Sequence, residues 1–115
     1  MQVNIETDDV RVIAYISGEI DHHNAPSIRQ RVDSAVECAY PEKLVLDMGG
    51  VTFMDSSGIG LIIGRWKLRQ AVSGELEVAN APQHIKTVMH VAGLERLFPI
   101  LTEGASDSAI LDNAS

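Results

Sequence analysis

"KLVLDMGGVTFMDSSGIGLIIGRWK", residues 43–67, decides the fold. It opens on "KLVLDM", a short continuous apolar run that reads as a buried strand. "GGVTFMD", residues 49–55, follows as a loop, because paired glycines punctuate regular structure. A periodic apolar run from Ser57 then predicts a helix to Val72, with Ile59, Ile62, Ile63 and Trp66 on its buried side. Arg65, Lys67 and Arg69 gather in its later half, where cations complement the negative end of the helix dipole.

Outward from this unit, the pattern repeats. "QVNIE" and "VRVIAYIS" read as strands joined by a turn around Thr7 to Asp9. The second is apolar on both faces, which predicts an interior position. A helix is expected from Pro26 to Ala39, started by Asn24 or Ala25, with Ile28, Val32, Ala35, Val36 and Ala39 on one side. "GELEVA" is a strand, and "PQHIKTVMHVA" a helix that Gly93 stops, with Ile85, Val88, Met89 and Ala92 on one side. "LFPIL" predicts a last short strand and "SDSAILDNA" a terminal helix. Strand and helix alternate from Lys43 onward, so pairing there is expected to be largely parallel. Sites in such sheets form at the carboxyl ends of strands, where the 49–56 segment falls.

A chain of 115 residues, 45% hydrophobic and 22% charged, fits one α/β domain spanning 1–115. No apolar run is long enough to cross a membrane, and "MQVNIETDDV" is too polar for a signal peptide. A cytoplasmic location is therefore expected. The single cysteine, Cys38, excludes an internal disulfide and is expected as a small buried thiol. The net charge of −7 repels phosphate backbones, which argues against nucleic acid as a direct partner. A protein with a basic face fits better.

Catalytic templates fail on the serine segment. A nucleophile elbow needs G-x-S-x-G, and the first glycine is missing around both Ser56 and Ser57. A phosphate loop needs a lysine and hydroxyl pair that Gly58-Ile59-Gly60 does not lead to. Gly60 and Gly64 are read instead as admitting close packing of the helix on the sheet. His22 and His23 diverge as neighbours, and His84 and His90 sit about 240° apart around a helix, so neither pair suggests a metal. Asp55, Ser56 and Ser57 precede the apolar run as a helix cap would, with Ser57 contributing to the cap. Hydroxyls at such a terminus are also good phosphate seats, since free N–H groups and the positive dipole end point at them.

"FMDSSGIG" (53–60) followed by "LIIGRWK" resembles the signature of the STAS-domain family of anti-sigma factor antagonists. "SGEIDHHNAP" (17–26) resembles their second motif and "GLERLFPI" (93–100) their C-terminal segment; the sporulation-type branch matches best. The resemblance implies a mixed four- to five-stranded sheet with helices packed mainly on one face. It implies a regulator, not an enzyme, and no cofactor. Unphosphorylated, such a chain binds an anti-sigma factor that is an ATP-dependent serine kinase, and the sigma factor is released. The kinase phosphorylates the serine after the aspartate, here Ser56, and a PP2C-type serine phosphatase resets it. Partner contact is implied for Asp21, Asp55, Ser57, Gly58 and Ile59. The alternatives are a STAS scaffold subunit that is not phosphorylated, and a small nucleotide-binding or hydrolytic protein using Ser56.

Overall fold

Residues 1–101 are described by a computed structural model. Four strands, β1 (Gln2–Thr7), β2 (Arg11–Ile20), β3 (Lys43–Met54) and β4 (Glu75–Ala79), form one sheet in that spatial order. β1 runs antiparallel to β2, and β2, β3 and β4 are mutually parallel. The first reversal is tight because Asp8 Oδ1 accepts the N–H groups of Val10 and Arg11. Each parallel connection carries a helix: α1 (Ala25–Ala39) after β2 and α2 (Ser56–Ala71) after β3. α3 (Gln83–Val91) follows β4 and leads to a 3-10 turn, Leu94–Arg96.

Strand alternation decides which face is covered. Val12, Ala14 and Ile16, with Leu44, Leu46 and Met48, are buried beside Leu76 and Val78. They join Ile28 and Val32 of α1, Ile62 of α2, and Ile85 and Met89 of α3 in a single core. The opposite set is mixed, with Ile13 and buried Val45 among polar pairs. Tyr15 Oη donates to Glu6 Oε1 at 3.0 Å, and Lys43 Nζ lies 3.2 Å from Glu77 Oε2. Helices therefore pack on one face of a mixed sheet, in line with the expected architecture.

The expected 49–55 loop is absent. β3 continues to Met54 because Val51 and Met54 are buried and Gly50, Val51, Phe53 and Met54 pair with Ser17 to Ile20. Register shifts interrupt that ladder between Tyr15 and Ser17 and again between Gly18 and Glu19. A Cβ on Gly50 would lie 2.6 Å from Ser17 Cβ, so glycine lets the strands approach closely there. The paired glycines mark an irregularity within the strand. Only Asp55 separates β3 from α2.

Two other expectations change, and a third falls beyond the described residues. The "LFPIL" strand is one parallel bridge, Ile100 to Val78, held by Leu101 N–H on the Val78 carbonyl at 2.7 Å. The terminal helix expected over 106–114 lies outside the described residues. Cys38 is exposed, because it sits about 240° around α1 from Val32, away from the core.

The buried side of α2 is Gly58, Leu61, Ile62, Arg65 and Arg69, so of the expected stripe only Ile62 is fully buried. Ile59, Ile63 and Trp66 pack at its margin. Two arginines turn inward. Arg69 Nη2 donates to the Pro41 carbonyl at 2.6 Å and Nε to the Glu75 carbonyl at 3.3 Å. Gly74 makes room for that guanidinium, which a Cβ would overlap. Arg65 Nε lies 3.0 Å from Asp33 Oδ1 and ties α2 to α1. These cations serve backbone carbonyls and a carboxylate, not the helix dipole. Burial pushes both guanidinium pKa values down and the Asp33 carboxyl up.

Candidate functional site

β2 and β3 end side by side, on the pair Ile20 and Met54, and Asp55 N–H donates to the Ile20 carbonyl at 3.2 Å. Each strand is followed at once by an aspartate: Asp21 leads into α1 and Asp55 into α2. The two do the same structural work. Asp21 Oδ1 accepts the N–H groups of His23 at 3.0 Å and Asn24 at 2.9 Å. Its carbonyl accepts that of Ala25 at 2.8 Å. The Asn24 bond, above all, holds the Asp21 carboxyl below the usual carboxylate range. Asp55 Oδ1 accepts the Ser57 N–H at 2.8 Å, and its carbonyl accepts those of Gly58 and Ile59.

Asp55 is therefore the cap of α2, and Ser57 supplies only a backbone donor to it. This corrects the expectation that Ser57 caps. Asp55→Ala should lower stability by about 1 kcal/mol in a thermal melt, while Ser57→Ala should leave it nearly unchanged. The phosphate-seat expectation also changes. The N–H groups of Ser57, Gly58 and Ile59 already turn to Asp55, so a carboxylate occupies the positive end of the dipole.

Ser56 opens α2 and is exposed; Ser57 is half-buried, Gly58 buried and Ile59 half-buried. Among the described residues nothing pairs with the Ser56 hydroxyl. Five of the six residues expected at the site, all but Asp21, follow one another along the chain. Strand pairing brings Asp21 to them. Phe53, which the sequence reading did not select, is 47% exposed beside them. Its signal was an aromatic one residue out of phase with buried Met54. His22 and His23 follow Asp21, with ring centroids 4.2 Å apart. No group of three or more potential metal ligands forms among the described residues.

The sheet-and-helix arrangement that carries these residues recurs in known proteins. The model of the STAS domain matches residues 2–106. The chain belongs to the STAS domain family. A STAS relative from Paenibacillus polymyxa, "Anti-sigma F factor antagonist", is 34% identical over 100 residues, 87% of this chain and 86% of its own length. The unphosphorylated form of the anti-sigma factor antagonist SpoIIAA superposes with a TM-score of 0.77 at 25% identity, over 98% of this chain and 96% of that one. The phosphorylated form of the Bacillus cell-fate determinant SpoIIAA superposes at 0.71, also at 25% identity, over 99% and 100% of the two chains. This STAS domain thus resembles one protein solved in both phosphorylation states. No described helix is long and apolar enough to cross a membrane.

Proposed function

We propose that this chain is an anti-sigma factor antagonist switched by phosphorylation of Ser56. Unphosphorylated, it binds an anti-sigma factor with serine kinase activity and frees the sigma factor. The kinase modifies Ser56, and a PP2C-type phosphatase removes the phosphate. The chain is a substrate of chemistry done elsewhere, acting in the cytoplasm, and not an enzyme. The observation that carries this reading is the placement of Ser56. It is exposed at the first position of α2, between a capping carboxylate and the end of a strand pair, in a STAS chain similar to named antagonists.

Partner contact is assigned to Asp21, Asp55, Ser57, Gly58 and Ile59, with Phe53 as the exposed apolar neighbour. Asp21→Asn tests the assignment, because asparagine keeps an oxygen for the His23 and Asn24 N–H groups while removing the charge. It should weaken anti-sigma binding by about tenfold with an unchanged melting temperature. A lower melting temperature with full affinity would make Asp21 structural only.

A further inference from the structure

The place of Ser56 is set by the end of β3. Only Asp55 lies between that strand and α2, and Gly58 seats the helix start on Met54 and Ile20. The expectation that Gly60 and Gly64 admit the helix to the sheet fails, because a Cβ on either meets nothing within 4 Å. Whatever fixes Met54 therefore fixes the acceptor.

β3 reaches Met54 with strand support on one side. β4 pairs with it only from Lys43 to Asp47, whereas β2 pairs with it as far as Met54. Asn80 Nδ2 braces the point where β4 ends by donating to Asp47 Oδ2 at 2.6 Å, and Asp47 Oδ1 accepts the Gly49 N–H at 3.0 Å. Further on, the register passes from Val51 opposite Gly18 to Phe53 opposite Glu19 and skips Thr52. Such a bulge breaks the alternation of faces. A regular strand would bury Phe53 with Val51. Here Val51 and Met54 are buried, and Thr52 and Phe53 between them are both exposed. Phe53 owes its outward position to the bulge.

The extra residue of the bulge is held from another element. His84 Nε2 lies 2.9 Å from the Thr52 carbonyl oxygen. A carbonyl only accepts, so Nε2 carries the hydrogen and donates it. His84 stands in the first turn of α3, next to fully buried Ile85. The Pro82 carbonyl closes that turn by accepting the N–H groups of Ile85 and Lys86. The donor is therefore mounted on a fixed base, although its ring is exposed.

We propose that His84 is a positioning residue for the phosphoacceptor, holding the Thr52 bulge so that Phe53 faces the partner and Ser56 stands where the kinase takes it. The assignment rests on the antagonist reading above and adds a residue of α3 to a site otherwise built at the ends of β2 and β3. Without this bond the Thr52 carbonyl turns to water and the core is untouched. The bulge then gains other arrangements, in which the faces around Phe53 alternate differently.

The test uses the full chain, its anti-sigma kinase and ATP. In His84→Ala the KM for phosphorylation of Ser56 should rise about three- to tenfold with kcat unchanged, since only part of the population presents the site. The melting temperature should stay close to that of the unsubstituted chain. His84→Gln, whose amide N–H reaches the same carbonyl, should restore KM. Amide hydrogen exchange should quicken at Phe53 and Met54 in His84→Ala and stay unchanged at Ile85 and Met89. An unchanged KM in His84→Ala overturns the positioning role and leaves the antagonist reading standing, as does a raised KM that glutamine fails to restore. A chain that takes no phosphate overturns the antagonist reading and the positioning role together.

Discussion

Phosphorylation of Ser56 is expected to lower affinity for the anti-sigma factor by about 100-fold or more while circular dichroism and melting temperature stay unchanged. The fold has no reason to respond. Ser56 is exposed, and nothing among the described residues depends on its hydroxyl. The cap of α2 is made by Asp55, so the helix start survives modification of the next residue. The interface responds strongly. Phosphate adds about −1.5 to −2 charge at neutral pH. Here that charge falls beside the Asp55 carboxylate, which already holds the helix N-terminus, and near Asp21 across the strand pair. A partner surface that accepts a neutral hydroxyl would then cover three anionic groups. Desolvation and repulsion of several kcal/mol follow, which is the stated loss of affinity. A phosphorylated chain that binds as well as the unmodified one would refute the switch; one that unfolds would assign it to stability.

Gly58→Val should act in the opposite manner, on the fold first. Gly58 is buried, and a Cβ there would overlap Met54 Cγ and lie 2.7 Å from Met54 Sδ and 3.1 Å from Ile20 Cγ2. Met54 and Ile20 are the last pair of β3 and β2 and are themselves packed in the core. Both neighbours are side chains buried in the core, so the packing around the strand ends must rearrange to admit a Cβ. Overpacking of this kind costs about 1–3 kcal/mol, and the branched valine belongs at the upper end. A urea titration should show a lower midpoint with a similar slope. Anti-sigma binding should weaken together with stability, in contrast to the phosphorylated chain. An unchanged midpoint would mean that α2 can shift off the strand pair at little cost.

Much of this fold is readable from periodicity. β2 is apolar on both faces and lies inside the sheet; α1 and α3 present Ile28 and Val32, and Ile85 and Met89, where their spacing puts them. Misreadings arise where a residue's usual role is overridden by its neighbours. Gly49 and Gly50 signal a loop, but Gly50 is needed within a strand that passes close to Ser17. Arg65 and Arg69 signal cations at the negative end of the helix dipole, but Arg69 finds the Pro41 and Glu75 carbonyls, and their burial rotates the α2 stripe. Pattern alone cannot tell which glycine of "GIGLIIG" packs and which is bare, because the packing of Gly58 comes from Met54 and Ile20, distant in spacing from the helix pattern. At the site, Asp55, Ser56 and Ser57 announce a helix start. Which of them caps it is settled by backbone geometry, as Asp55 alone is extended before the helix. Asp21 joins them through strand pairing, and the family resemblance is what pointed to it.

Incubation of the chain with its anti-sigma factor and ATP, followed by mapping of the phosphate by mass spectrometry, tests the central claim most directly. The unsubstituted chain should carry one phosphate on Ser56, Ser57→Ala should still be modified, and Ser56→Ala should incorporate none. Label retained by Ser56→Ala and lost from Ser57→Ala would contradict the account.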